Sequence, residues 1–146
     1  EISDTRFAYI VCIGMAATML FTYATCVSQN ECPHLPHLPT ISNTWDNPPG
    51  NYVSRFVVSV VSTSIALLQF VLWGPERGAT LPCKLSATVA QRLGIFSAFC
   101  LSWVGAICDD DKNPQCDGNN AIHSTFAVTF FVIQNFLMVI LTKHAG

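Results

Sequence analysis

Two stretches of this sequence, Phe7–Val27 and Ile122–Thr142, run for 21 residues each without an Asp, Glu, Lys or Arg. Two more, Val53–Trp73 and Thr88–Cys108, carry one charge apiece, Arg55 and Arg92, close to their starts. About 20 apolar residues in a helix rising about 1.5 Å each cross a hydrocarbon core of about 30 Å. An Arg near a helix end can snorkel to the headgroups. A soluble bundle would need a charged outer face on every helix, and runs such as FTYATCV or FFVIQNFLMVIL have none. The pattern predicts an all-α, polytopic membrane protein. Its spans, at about 7–27, 53–73, 88–108 and 122–142, form an antiparallel bundle of four transmembrane helices in a single domain over 1–146. The first window is also readable as a secretory signal cleaved after Ala24-Thr25-Cys26, but its apolar run exceeds the usual ~7–15 residues. The chain opens on Glu1 rather than Met, so some N-terminal sequence is expected to be missing from it.

Charge then sets the orientation. The 146 residues hold 7 basic and 9 acidic side chains, a formal net charge of −2. Charged residues are 11% of the chain, against roughly 25% in a soluble domain. Mean hydropathy is +0.41 and the pI about 6.0. So few cations exclude nucleic acid as a partner, because phosphate binding needs a basic stripe. Arg6, Arg77, Lys84, Arg92 and Lys143 fall on one side of the predicted bundle, and only Arg55 and Lys112 on the other. The positive-inside rule places the first set in the cytoplasm. Both termini and the middle connection are therefore expected to be cytoplasmic. The first and third connections, with Glu31 and Asp46 and with Asp109, Asp110, Asp111 and Asp117, are expected to be lumenal or extracellular.

The seven cysteines divide along the same lines. Cys12 and Cys100 lie inside spans and read as small packing residues. Cys83 falls on the cytoplasmic side, where it stays reduced; palmitoylation there has no specific signal behind it. Cys26, Cys32, Cys108 and Cys116 fall on the lumenal side, where an oxidising compartment favours bonding. These four allow three pairings, and Cys26 with Cys32 and Cys108 with Cys116 would each close a short loop. No N-x-S/T sequon occurs.

Small residues repeat every fourth position on two spans: Gly14, Thr18, Thr22 and Cys26 on the first, Gly94, Ala98, Ser102 and Ala106 on the third. This spacing lets membrane helices approach closely, and it reads as packing inside the bundle before it reads as a dimer face. Gln69, Gln134 and Asn135 are the polar residues deepest in the spans and are expected to pair across helices. A transport path is disfavoured, since no Asp, Glu or Lys lies within the spans.

The first connection, CPHLPHLPTISNTWDNPPGNYVSR, holds Pro33, Pro36, Pro39, Pro48 and Pro49. Repeatedly fixed φ angles and missing donors predict a stiff, extended loop and not a helix. Cys32, His34 and His37 resemble metal ligands, but the prolines and the missing fourth ligand weaken that reading. Asp109, Asp111 and Asn113 match positions one, three and five of a calcium loop, yet Pro114 replaces its Gly and Asn120 its final Glu. No metal and no cofactor is expected.

The segment Leu38-Pro39-Thr40-Ile41-Ser42, followed by Pro48-Pro49 and a span beginning near Arg55-Phe56, resembles the first loop of the Frag/DRAM/Sfk family. Leu93–Ile107 is similar to that family's third helix, and Ile122-His123-Ser124-Thr125-Phe126 with Gln134 to its fourth. The family includes DRAM-type autophagy modulators and a Golgi factor acting on GPI-anchor lipids. Its members typically have six spans. This chain supplies four before Gly146, so either two helices are absent or it is a shortened relative. The family has no agreed catalytic residues to carry over. The resemblance implies a multi-pass protein of Golgi, ER, lysosomal or plasma membrane, concerned with lipid handling, GPI-anchor maturation or autophagy.

Two functions follow from different classes: a non-catalytic lipid-handling or regulatory factor, or a structural or accessory subunit of a larger membrane complex. An enzyme is disfavoured because no G-x-S-x-G, H-E-x-x-H or phosphate-binding glycine loop occurs, although His123 near the acidic loop would suit a general base. Membrane lipids and other membrane proteins are the expected partners. Pro39, Thr40, Ile41, Ser42, Trp45, Arg55 and His123 form the expected lipid or partner recognition surface.

Overall fold

The computed structural model describes residues 4–32, 41–46, 48–73, 87–107 and 119–145. It contains helices α1 (Asp4–Ser28), α2 (Gly50–Leu72), α3 (Ala87–Ala106) and α4 (Asn120–Ala145), and a 3-10 turn, Ser42–Trp45, between α1 and α2. No strand occurs among the described residues. Each helix is long and apolar enough to cross a membrane, over Tyr9–Ser28, Gly50–Leu72, Ala87–Ala106 and Asn120–Ile140. The four spans stand where the four apolar windows put them. At the edges, α2 starts before Val53, at Gly50, and α3 stops before Cys108, at Ala106.

Hydrocarbon offers backbone groups no partner, which makes helices the form a single span adopts. Hydroxyls within the spans are satisfied in the same way. Thr18 donates to the Gly14 carbonyl at 2.8 Å, Ser64 to Val60 at 2.8 Å and Thr129 to Thr125 at 2.7 Å. Such back-bonding lets Ser and Thr sit in a lipid-facing helix without an orphaned donor. At the start of α4, the Asn119 side-chain oxygen accepts the Ile122 N–H at 3.1 Å, an N-cap that answers one of the free amides of the first turn.

The burial pattern is inverted relative to a soluble bundle. Ile13, Leu20, Phe56 and Val128 are exposed, while Thr22, Ser54, Ser62, Ser97 and His123 are buried. Large apolar side chains face outward to lipid, and small or polar ones mediate helix contact. The helices pack in sequence order, α1 on α2, α2 on α3 and α3 on α4. They run antiparallel. Ser62 meets Ser102 while Gln69, further along α2, meets the earlier Gly94 of α3. Likewise His123 reaches Ile107 while Gln134, further along α4, reaches the earlier Ser97.

Two apolar clusters fill the interior. One joins Val58 and Val61 to Leu101, with Val11, Met15 and Trp45 against it. The other, toward the opposite end, joins Trp73, Ala90, Leu137 and Ile140.

Candidate functional site

Within the proline-rich connection, residues 33–40 lie outside the described residues, and the described stretch 41–46 is a turn and not the extended form expected for it. Between Pro39 and Pro48 lie eight residues without a proline, and nothing there prevents short-range bonds from closing. Ser42–Trp45 forms a 3-10 turn in which the Thr44 N–H donates to the Ile41 carbonyl at 3.1 Å. The turn is fastened to α1: the Trp45 indole N–H donates to the Thr22 hydroxyl at 3.2 Å, and the Thr22 and Thr44 hydroxyls stand 3.3 Å apart. Chain reversal at the end of α1 uses Asn30, whose φ of 60° is left-handed, a region that Asn tolerates better than most residues. A disulfide then joins Cys26 to Cys32. Cys108 and Cys116 lie outside the described residues, as do Cys83, Pro39, Thr40, His34, His37 and the acidic run Asp109–Asp111.

The turn roofs two adjoining cavities. The smaller, about 10 Å³, is lined by Ser42, Asp46, Ser54, Arg55 and His123, with Trp45, Val104, Gly105 and Ile107 completing its wall. Asp46 and His123 are buried at 6% and 7% exposure. The His123 ring donates from Nδ1 to the Ile107 carbonyl at 2.7 Å, an oxygen just past the end of α3, where backbone acceptors lack helical donors. That bond ties the start of α4 to the end of α3. Arg55 and Asp46 place opposite charges on the same small cavity.

The larger cavity, about 410 Å³, extends from the first into the bundle. Met15 and Met19 of α1 form one side, Ala127, Phe130 and Phe131 of α4 another. Val61 and Ile65 of α2 and Leu101 and Val104 of α3 form the floor, and Ile41, Ser42 and Trp45 the roof. It lies between α1 and α4, which have no packed interface comparable to those of consecutive helices.

The structure therefore brings Ile41, Ser42, Trp45, Arg55 and His123 to one place. Asp46, Ser54 and the methionine and phenylalanine walls are the additions. The burial of Asp46 and Ser54 follows from tertiary packing, and no local pattern in the sequence marks it.

The helix-packing residues divide. Gly94 lies against the Gln69 side chain, and Ala98 is buried at 1% exposure. Ser102 and Ser62 place their hydroxyls 2.6 Å apart. Ala106 is exposed instead of packed, because α3 ends there and the stripe turns outward. Gly105 takes the close approach, where a Cβ would stand 2.7 Å from Val58 Cγ1. On α1, Thr18, Thr22 and Cys26 are buried, but Gly14 is exposed with no neighbour within 4 Å.

Of the three deep amides, Gln134 donates across helices to Ser97 Oγ at 2.6 Å. Gln69 instead accepts from the Trp73 indole of its own segment at 2.8 Å, since Gly94 presents no side chain to bond. Asn135 is exposed and donates to the Phe131 carbonyl of its own helix at 2.8 Å. Its position on α4 faces away from α3. Cys100 is buried, whereas Cys12 is exposed and packs against no core. Among the described residues no group of three His, Cys, Asp or Glu converges.

The family model for the Frag1/DRAM/Sfk1/Cwh43P N-terminal domain matches residues 5–145. No curated protein and no solved structure matches the chain.

Proposed function

Because the chain belongs to the Frag1/DRAM/Sfk1/Cwh43P N-terminal domain family, we propose that this multi-pass membrane protein is a non-catalytic lipid-handling factor. One observation carries the reading: an apolar cavity of about 410 Å³ lies between α1 and α4 beneath the 3-10 turn. Ligand sites are typically concave, mostly apolar and furnished with a few convergent polar groups, and Arg55, Asp46 and His123 supply those here. The roof is preformed by the Trp45–Thr22 bond and the Cys26–Cys32 disulfide, so little order is lost on binding. In this reading the turn and cavity face the lumen or cell exterior, and both termini face the cytoplasm, as the Lys and Arg bias directs. The compartment is Golgi, ER, lysosomal or plasma membrane, and the role lies in GPI-anchor maturation or autophagy. Pro39 and Thr40, outside the described residues, are included in this proposal by their place in the sequence beside Ile41 and Ser42.

The test replaces Trp45→Ala, Arg55→Gln and His123→Ala singly and scores lipid retained by the purified, folded protein. Loss of bound lipid in at least one variant supports the reading. Full retention in all three rejects it. Stoichiometric membrane partners without bound lipid would favour an accessory subunit instead.

A further inference from the structure

Two seams run along α4 with the same alternation of four and three residues. His123, Ala127, Phe130, Gln134 and Leu137 form the inner one, each buried or half-buried, and its Gln134 bonds Ser97 of α3 at 2.6 Å. Ser124, Val128, Phe131, Asn135, Met138 and Thr142 form the outer one, and all six are exposed. We infer that a second copy of the chain docks on this outer seam, with Asn135 of one protomer hydrogen-bonded to Asn135 of its partner, whether or not the protein handles lipid.

Hydrogen bonding is the first support. Asn135 lies well inside the span Asn120–Ile140, about 7–8 Å along the helix from its nearer end. Hydroxyls of the same helix complete themselves: Thr125 donates to the Ala121 carbonyl and Thr129 to the Thr125 carbonyl, both at 2.7 Å. A carboxamide does not, because it has two N–H donors and an acceptor oxygen. The bond to the Phe131 carbonyl at 2.8 Å uses one N–H. Among the described residues no partner meets the second N–H or Oδ1, and the backbone of α4 is already paired along the helix. Unmet polar groups are costly in hydrocarbon. Asn135 therefore needs a neighbour that donates and accepts at once.

Symmetry is the second. Copies inserted with one topology carry α4 in one direction, so two outer seams meet in parallel. About a two-fold axis along the membrane normal, each seam residue meets its own counterpart, and the carboxamide meets a carboxamide at the same depth. Each free N–H then donates to the other's oxygen. A single Asn on a four-three seam fixes register and oligomer state in coiled coils, and Asn side chains hydrogen-bond between membrane helices. Val128, Phe131 and Met138, each 61% exposed, add apolar contact around the pair. The seam borders the apolar trough between α1 and α4 and shares Phe131 with it, but takes nothing from the polar end of that recess.

The experiment reconstitutes the whole chain in phosphatidylcholine vesicles, as copies carrying donor or acceptor dye, and reads energy transfer as lipid is added. Transfer should fall along a monomer–dimer curve, and Asn135→Val should raise the dissociation constant about tenfold. Cross-linking reads the same contact with the amide intact. In a background with Cys12, Cys83, Cys100, Cys108 and Cys116 replaced and the Cys26–Cys32 bridge kept, Val128→Cys and Met138→Cys should join between copies on oxidation. Phe136→Cys, about 100° around the helix from Asn135, should not. A chain that stays monomeric at the highest protein-to-lipid ratio would overturn the proposal and leave the seam to lipid or a foreign helix. A folded Asn135→Val variant that dimerises as tightly as the parent would overturn it too. So would cross-linking strongest at Phe136→Cys, or at Leu20→Cys on the exposed side of α1.

Discussion

The hydroxyls of Ser62 on α2 and Ser102 on α3 lie 2.6 Å apart. Ser62 also contacts the Ser59 carbonyl at 3.0 Å, and Ser102 the Ala98 carbonyl at 3.4 Å. Each hydroxyl therefore has a local partner even when the other is removed. A double-mutant cycle on Ser62→Ala and Ser102→Ala should accordingly give a modest coupling, about 0.6 kcal/mol, the average for polar pairs between membrane helices. Unfolding in mixed micelles measures it. A coupling of zero would show that the hydroxyls do not bond in the membrane.

Gly50 and Gly105 should be intolerant of even one methyl group. A Cβ on Gly50 would stand 2.7 Å from the Thr44 carbonyl oxygen, and one on Gly105 would stand 2.7 Å from Val58 Cγ1. Gly50→Ala presses on backbone and should destabilise by about 1–3 kcal/mol, the usual range for overpacking. Gly105→Ala should cost a similar amount alone and less when combined with Val58→Ala, which vacates the space. Gly14→Ala, with nothing within 4 Å, should be neutral or slightly stabilising through helix propensity. Thermal unfolding of the four variants checks the order.

The Cys26–Cys32 bridge closes a loop with a sequence separation of 6 residues. The chain-entropy model assigns so short a loop about 2 kcal/mol. Replacing both cysteines with Ala should lower stability by that order. Alkylation of the unreduced protein after denaturation should leave Cys26 and Cys32 unmodified, while Cys12, a free cysteine, should react. Modification of Cys26 or Cys32 before reduction would contradict the bond.

The four helices are legible in the sequence because a bilayer imposes one solution on each uncharged window, and Ala98 and Ser102 are legible because small residues at helical spacing permit close approach. The neighbours are not. Gly105, rather than Ala106, makes the tight contact with Val58, since the exact rotation of α3 depends on what α2 presents to it. Gln69, Gln134 and Asn135 look alike in sequence, yet one bonds across helices and two do not. Rotation of each helix about its own axis decides that, and nothing within a single apolar run specifies it. At the site, Ile41, Ser42, Trp45, Arg55 and His123 stand out as polar, aromatic or proline-flanked residues near span ends. Asp46 stands out only as an acid that Arg55 could answer; its burial comes from the 3-10 turn folding back on α1 and α2, a tertiary event. The apolar trough is invisible for a related reason. Met15, Met19, Phe130 and Phe131 resemble the lipid-facing side chains around them until α1 and α4 are seen to stand apart.

The last prediction concerns which face of the membrane the recess opens toward. Arg77, Lys84 and Arg92 cluster in and beside the connection between α2 and α3, and Arg6 and Lys143 flank the outer helices at the same end. Positive residues near short connections stay in the cytoplasm, so the 3-10 turn, Arg55 and His123 are expected on the other side. A single cysteine at Ala79, in a background with Cys12, Cys83, Cys100, Cys108 and Cys116 replaced and the Cys26–Cys32 bridge kept, should react with an impermeant maleimide only from the cytoplasmic face of sealed vesicles. A second cysteine variant at Asn119, before α4, should react only from the opposite face. The paired design separates inversion from leakage, because a leaky preparation labels both sites from both sides. Labelling of Ala79→Cys from the outside, with Asn119→Cys protected there, would invert the topology and place the recess in the cytoplasmic leaflet.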